Sequence, residues 1–241
     1  MKRVQYHQYG GLAALRLEEV ERPTPGRGQV RVQIRAAAAN PLDWKIPRGE
    51  MKMMTGQAFP RGLGHDFAGV IEAVGEHVTR FKVGDEVFGA MGLKEAGTFA
   101  EALVTEEKLV YPKPPSLSFE AAAALPLVSA TAWFALVEKA KVQAGQRVFI
   151  NGCLGGVGRP AVQMARMRGA EVTGSAVLPG ATRPWHSAFR KLLITEPSTR
   201  PPTRTASTWC SIRKAHCRRA RVPRCSNPAV WSWTSCPRPS R

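Results

Sequence analysis

The sequence predicts a β + α/β protein: a small barrel-like β domain, then the start of a parallel doubly wound domain, then an irregular tail. Three observations predict it. Short alternating strands separated by glycine and proline turns fill residues 1–115. A strand, a glycine-rich turn, a helix and a second strand follow one another over residues 147–174. Composition then changes abruptly near Ser175.

Lys2 to Tyr9 reads as a first strand, Gly10-Gly11 as its turn, and Leu15 to Val20 as its partner. Pro23, Pro25, Gly26 and Gly28 break the pattern. Gln29 to Arg35 alternates, with Val30, Val32 and Ile34 on one face and Arg31, Gln33 and Arg35 on the other. Such alternation marks a half-buried antiparallel strand. Ala36 to Lys45 reads as a loop entering a helical turn. Phe67–Val74, Val83–Gly89 and Gly97–Val104 supply further strands and turns. Strands at this spacing predict a small β-barrel.

Pro112, Pro114 and Pro115 mark a boundary. Ser118 to Leu125 is alanine-rich and helical, and Pro126 interrupts it. Ser129 to Lys141 resumes the helix, offering Trp133, Phe134, Leu136 and Val137 for burial. Arg147 to Ile150 is a short apolar run suited to a buried strand. Gly152, Gly155, Gly156 and Gly158 follow at once. Val157, Ala161, Val162, Met164, Ala165 and Met167 then mark the apolar face of a helix. A second strand, Ala170 to Gly174, comes next, as a βαβ unit requires.

Glycines at a strand–helix junction let the backbone turn sharply and approach a ligand without a Cβ in the way. The helix beyond directs its unpaired N–H groups and positive end at the same spot, which suits a phosphate or pyrophosphate. The spacing of Gly152, Gly155, Gly156 and Gly158 departs from the plain G-x-G-x-x-G pattern.

The run INGxxGGVGxxAVQMA resembles the cofactor loop of the medium-chain dehydrogenase/reductase superfamily, in its zinc-independent quinone oxidoreductase branch. Five other stretches resemble the same family in the same order: Asn40-Pro41-Leu42-Asp43-Trp44-Lys45, Gly64 to Val70, Val83 to Val87, Gly97 to Glu101 and Thr131-Ala132-Trp133. The resemblance covers residues 1 to about 175. It implies a GroES-like substrate domain over 1–115, then over 116–175 a helical connection and the first βαβ unit of an NADP-binding Rossmann domain. It also implies a cofactor in the cleft between domains. Asn40 and Thr131 would line its nicotinamide side, and Gly152, Gly155, Gly156, Val157 and Gly158 would hold the pyrophosphate. The resemblance further implies a homodimer, given a complete fold.

The choice of cofactor is read just after the second strand, where a carboxylate favours NADH. The sequence there is Thr173-Gly174-Ser175, without a carboxylate. That implies NADPH with Ser175 beside it, and leaves NADH open. Gly64-His65-Asp66 resembles the Gly-His-Glu of zinc-dependent relatives, whose His is a ligand. A catalytic zinc needs three protein ligands. No cysteine precedes Cys153, so the sequence predicts no metal. His65 reads as a packing or hydrogen-bonding residue, and Cys153 as a small buried side chain. Without a Lewis acid, hydride chemistry suits a substrate already electrophilic, a quinone or enone. Lys45, His65 and Tyr111 are equal candidates for a proton donor.

The chain has 241 residues and a net charge of +17. Such charge ordinarily suggests nucleic acid or anionic membranes. Its distribution argues otherwise. Ser175 to Arg241 holds 13 Lys/Arg and one acid, Glu196, while the first 174 residues hold 22 bases and 17 acids. The same tail carries nine of 19 prolines and four of five cysteines. Residues 176–241 therefore read as an irregular, disordered basic tail without a third strand. Read one base earlier, the codons of Ser207 to Arg213 can encode Phe-Asp-Val-Val-Phe-Asp-Thr, like the family's next strand. Asn227 to Pro237 can encode a late strand in the same way. A shift of reading frame just after Ser175 is expected, leaving the first two Rossmann strands with an uncovered edge, and with it weak cofactor affinity and impaired turnover.

The sequence thus predicts an NAD(P)H-dependent quinone or enone reductase acting on a small electrophilic substrate. The alternatives are an enoyl-thioester reductase of the same superfamily, or a nucleic-acid-binding protein using the basic tail. No signal-type stretch follows Met1-Lys2-Arg3 and no run reads as a membrane span, so the expected location is cytoplasmic.

Overall fold

In the computed structural model, the described residues are 1–177 and 191–195. The chain divides into two compact units, Met1–Leu127 and Val128–Arg241.

The first unit is built on two sheets. The smaller has the order β2-β1-β4, from β1 (Lys2–Tyr6), β2 (Arg16–Glu19) and the short β4 (Arg61–Gly62). The larger has the order β7-β3-β5-β6-β8 and is antiparallel throughout. Its strands are β3 (Gln29–Ala38), β5 (Asp66–Val74), β6 (Glu86–Ala90), β7 (Ala102–Glu106) and β8 (Val110–Pro112). The expected barrel does not close: among the described residues only an isolated bridge, Arg3 to Ala100, joins β1 to the segment before β7. Two short helices, α1 (Pro41–Lys45) and α2 (Lys52–Thr55), lie between β3 and β4.

The alternation in β3 does what its pattern requires. Val30 and Val32 are fully buried and pack with Phe67, Ile71, Val87, Leu103 and Val110. The strand runs through the alanines expected in a loop, ending at Ala38. Small side chains there leave room for Ala122 and Ala123 of α3 (Phe119–Ala123), which pack with Ala68 beside Ala36 and Ala38. Ser118 caps α3, its Oγ accepting the Ala121 N–H at 3.2 Å. A new helix, α4 (Pro126–Trp133), starts at Pro126, which suits a first helical turn. It continues as a π-helical turn, Phe134–Lys139.

Of the four side chains expected to be buried there, Leu136 is buried and Val137 partly so, but Trp133 and Phe134 are exposed. The whole stretch Phe119–Lys139 is long and apolar enough to cross a membrane on length and composition alone, which the sequence reading did not anticipate. Here it is broken into α3, α4 and the π-helical turn, and Ala122, Ala123, Ala132 and Ala135 are buried.

The second unit carries a parallel sheet in the order β11-β10-β9. Its strands are β9 (Arg147–Asn151), β10 (Glu171–Val177) and β11 (Lys191–Thr195), with α5 (Gly158–Met167) crossing from β9 to β10. Val148, Ile150, Ala161, Val162, Ala165 and Val172 form the core, with Leu136 and Val142. Met167, expected on the apolar face, is 86% exposed.

Two expectations about the tail are corrected here. The second strand does not end at Gly174 but runs over Glu171–Val177, and a third strand, β11, pairs with β10 from Thr173↔Lys191 to Val177↔Thr195. The edge of β10 is therefore covered. The cause is legible afterwards: Leu192-Leu193-Ile194 is an apolar run able to add to a parallel sheet. The codon-shifted stretches from Ser207 to Pro237 lie outside the described residues.

Phe67, fully buried in the larger sheet's core, is the place to test that core. Phe67→Ala should cost the first unit about 3–5 kcal/mol, measured by denaturant unfolding of the full chain.

Candidate functional site

In the second unit the chain leaves β9 through Gly152 (φ +70°) and enters α5 at Gly158. The Gly155 N–H donates to Gly152 O at 2.8 Å, and the Arg159 N–H to Gly155 O at 3.0 Å. Arg159 Nε also donates to Leu154 O at 2.8 Å. Gly158 is where the loop closes on itself. A Cβ there would fall 2.1 Å from Gly152 O and 2.7 Å from Cys153 Cα. No residue but glycine fits. Gly152, Gly155 and Gly156 are exposed, and Val157, just before the helix, is half-buried without a side-chain cap. The Gly155, Arg159 and Ala161 N–H groups are used within the loop and first turn and Pro160 has none, which leaves the N–H groups of Gly156, Val157 and Gly158 unbonded among the described residues. The residues present fit a dinucleotide's pyrophosphate, because Gly152, Gly155 and Gly156 expose backbone with no side chain in the way.

The loop is stitched to β10. The Cys153 N–H donates to Ser175 O at 2.9 Å, and Ser175 Oγ donates to Asn151 Oδ1 at 2.6 Å. Ser175 is buried inside β10 with its hydroxyl turned to β9. The position just beyond the strand, where cofactor choice is read, is Leu178, outside the described residues. Cys153 is fully buried, and burial pushes its thiol up to about 11, which leaves no thiolate for nucleophilic chemistry at neutral pH. Thr131 lies on α4, one helical turn after Val128, whose Cγ1 sits 3.4 Å from where a Gly156 Cβ would be.

Asn40 belongs to the first unit, in a buried polar cluster of its own. Its backbone N–H donates to Asp43 Oδ2 at 2.6 Å, and the Asp43 N–H returns to Asn40 O at 2.9 Å. This pair begins α1, with Pro41 at its first position. His65 Nδ1 donates to Asp43 Oδ1 at 2.7 Å, and Asn40 Nδ2 donates to Asp66 Oδ2 at 2.8 Å. The Leu127 N–H donates to Asp66 Oδ1 at 2.9 Å. All four polar residues are buried. Burial raises the Asp66 carboxyl from 3.8 to about 6, opposed by the bonds from Asn40 and Leu127 and assisted by the Asp43 charge. His65 Nε2 is buried with no hydrogen-bond partner among the described residues.

Sequence reasoning singled out Asn40 and His65 but missed Asp43 and Asp66 as their partners. The Asn-Pro-x-Asp spacing of a helix start could have found Asp43. Of the proton-donor candidates, Tyr111 is exposed on β8 with its ring near Phe88, and Lys45 ends α1. Only His65 carries a buried carboxylate partner. Among the described residues no group of three or more His, Cys, Asp or Glu is placed to hold a metal ion.

A GroES-like β unit preceding a parallel unit with this loop defines a dehydrogenase-type protein. Residues 26–115 match the alcohol dehydrogenase GroES-like domain. The chain is 38% identical over 177 residues to a quinone oxidoreductase of Sus scrofa, covering 73% of this chain and 53% of that protein. It is 42% identical over 173 residues to a 2-methylene-furan-3-one reductase of Solanum lycopersicum, covering 69% and 44%. The Escherichia coli quinone oxidoreductase solved in complex with NADPH superposes with a TM-score of 0.69 at 25% identity, over 80% of this chain and 58% of that one. The chain belongs to the medium-chain dehydrogenase/reductase superfamily, among its quinone oxidoreductase-like members. It spans about half the length of the curated relatives it matches.

The raised carboxyl of Asp66 makes stability depend on pH. A group whose pKa is higher folded than unfolded favours the fold in its protonated form. Its contribution is complete below about pH 4 and is lost as pH rises through about 6. The loss should be about 2–3 kcal/mol, seen as falling denaturant stability of the first unit over that window. Asp66→Asn should flatten this dependence, since an amide can still accept from Leu127 while Asn40 turns its own amide over.

Proposed function

We propose that this chain is an NAD(P)H-dependent oxidoreductase that reduces a quinone or an α,β-unsaturated carbonyl. The glycine apron before α5 carries the reading: Gly152, Gly155, Gly156, Val157 and Gly158 are assigned to the pyrophosphate, with exposed, side-chain-free backbone at Gly152, Gly155 and Gly156 and unbonded N–H groups at Gly156, Val157 and Gly158. Thr131, one turn along α4 from Val128 beside the loop, is assigned to the nicotinamide end. Bound there, a reduced nicotinamide would supply the hydride. The chain's part is to hold the cofactor rigidly, and the bonds Cys153–Ser175 and Ser175–Asn151 serve that rigidity. NADPH is favoured over NADH because the sequence holds no carboxylate from Thr173 through Leu178, the position just beyond β10, and because the E. coli relative was solved with NADPH. Reduction of a conjugated or quinoid carbonyl is favoured by the names of the pig and tomato relatives.

Hydride addition to an enone leaves an enolate that must gain a proton. That proton would come from solvent or from one of the three candidates, Lys45, His65 and Tyr111. The composition break after Ser175 supports impaired turnover in this chain. A gene with the downstream frame restored should then turn over faster.

The test is loss of reduced nicotinamide absorbance with a benzoquinone or a simple enone as acceptor, beside binding of NADPH followed by fluorescence. Gly156→Asp, which places a carboxylate in the pyrophosphate's path, should weaken NADPH binding at least about tenfold. Unchanged binding in that variant would remove the loop from the site. Turnover only of an enoyl thioester would shift the reading to that substrate class.

A further inference from the structure

The guanidinium of Arg3 occupies a slot that two glycines leave open. A Cβ on Gly62 would fall 2.3 Å from Arg3 Nη2 and 2.6 Å from Ala96 O, and one on Gly97 would fall 2.9 Å from Nη2. Local sequence has therefore kept room for this group, yet the group is poorly partnered. Nη2 makes one long bond, to Ala96 O at 3.4 Å, and Nε is buried with no partner among the described residues. None of the ion pairs among the described residues includes Arg3. A half-buried guanidinium without a carboxylate is costly unless something else neutralises it.

Arg3 lines a cavity of about 220 Å³ together with Tyr6, Arg61, Lys94 and Glu95. Arg61 donates to the carbonyls of Thr55 and Ala58. Lys94 is exposed, and neither it nor Arg61 forms an ion pair among the described residues. Glu95 is the single acid on the wall and lies within ion-pair distance of none of the three cations. Tyr6 is 1% exposed and burial raises its hydroxyl's pKa, against the opposing effect of Arg61, so it stays a neutral donor. Three cations against one unpaired acid, with a neutral hydroxyl beside them, make a receptor for negative oxygen. The volume is below the ~300–1,000 Å³ usual for whole-ligand pockets, so it suits a small anion or one anionic end group.

We propose that this cavity in the first unit binds an oxyanion, the phosphate or carboxylate group of a small molecule. Arg3 offers its planar fork from the glycine slot, and Lys94 adds charge at the rim. The site lies wholly within residues 1–127 and does not depend on the cofactor reading above.

The experiment is calorimetric titration of the full chain with inorganic phosphate and, separately, with acetate, chloride holding ionic strength constant. One of the two should bind saturably, and which one does identifies the group. Lys94→Gln should weaken that binding about two- to fivefold, and Glu95→Gln should tighten it by a similar factor, as expected for exposed charges. Both positions are exposed, so neither variant threatens folding. Arg3→Gln should weaken binding more than about tenfold. The proposal is overturned if neither anion binds by about 10 mM. It is equally overturned if binding ignores both exposed substitutions, since anions held by the basic C-terminal segment would behave that way.

Discussion

The second unit depends on one close approach: Gly158 passes so near Gly152 O and Cys153 that no Cβ can be accommodated. That approach sets where α5 begins and hence where its N–H groups point. It also lets the helix settle on β9 and β10 with Ala161, Val162 and Ala165 buried. Small residues on the helix and branched ones on the strands, Val148, Ile150 and Val172, complete the layer. The apron of exposed glycines is thus a consequence of tight packing behind it. A loop held this way is rigid before any ligand arrives, which reduces the ordering a ligand must bring about.

The first unit solves a different problem. Four polar side chains, Asn40, Asp43, His65 and Asp66, are buried together, and burial of charge is costly unless each group is bonded. Asp43 meets this by serving the helix start and the His65 ring at once. Asp66 meets it partly, through Asn40 and Leu127, and the remainder appears as its raised pKa. The Arg3 slot shows the same economy: glycines place a cation where local partners are few. Asp66 begins β5, whose position the valine and phenylalanine core fixes, whereas Arg3 lies on β1 beside the separate cluster of Tyr6, Ile46 and Leu63.

Much of this was legible in sequence. The alternation of Val30 and Val32, the helix beginning at Ser118, the strand–glycine–helix order from Arg147 to Met167 and the return strand all follow from local pattern. Elements that local pattern misjudged share a cause. The strand through Ala36–Ala38 is selected by the close packing of α3, not by β propensity. Trp133 and Phe134 look like core residues but face outward, because the π-helical turn changes the angular spacing that a helical reading assumes. Strand β11 was overlooked within a basic, proline-rich context, although a parallel neighbour suffices to order five residues.

By itself the sequence determined the order of domains, the family and the glycine loop, since these rest on short-range spacing and on the absence of side chains at named positions. Tertiary structure decided which distant residues meet. Asp66 reaches Asn40 across 26 positions and Arg3 reaches Ala96 across 93. It also decided that the β unit stays an open pair of sheets and that Ser175 turns inward to Asn151. Such contacts depend on strand pairing and burial, which act between segments far apart in the chain and leave no mark in any one of them.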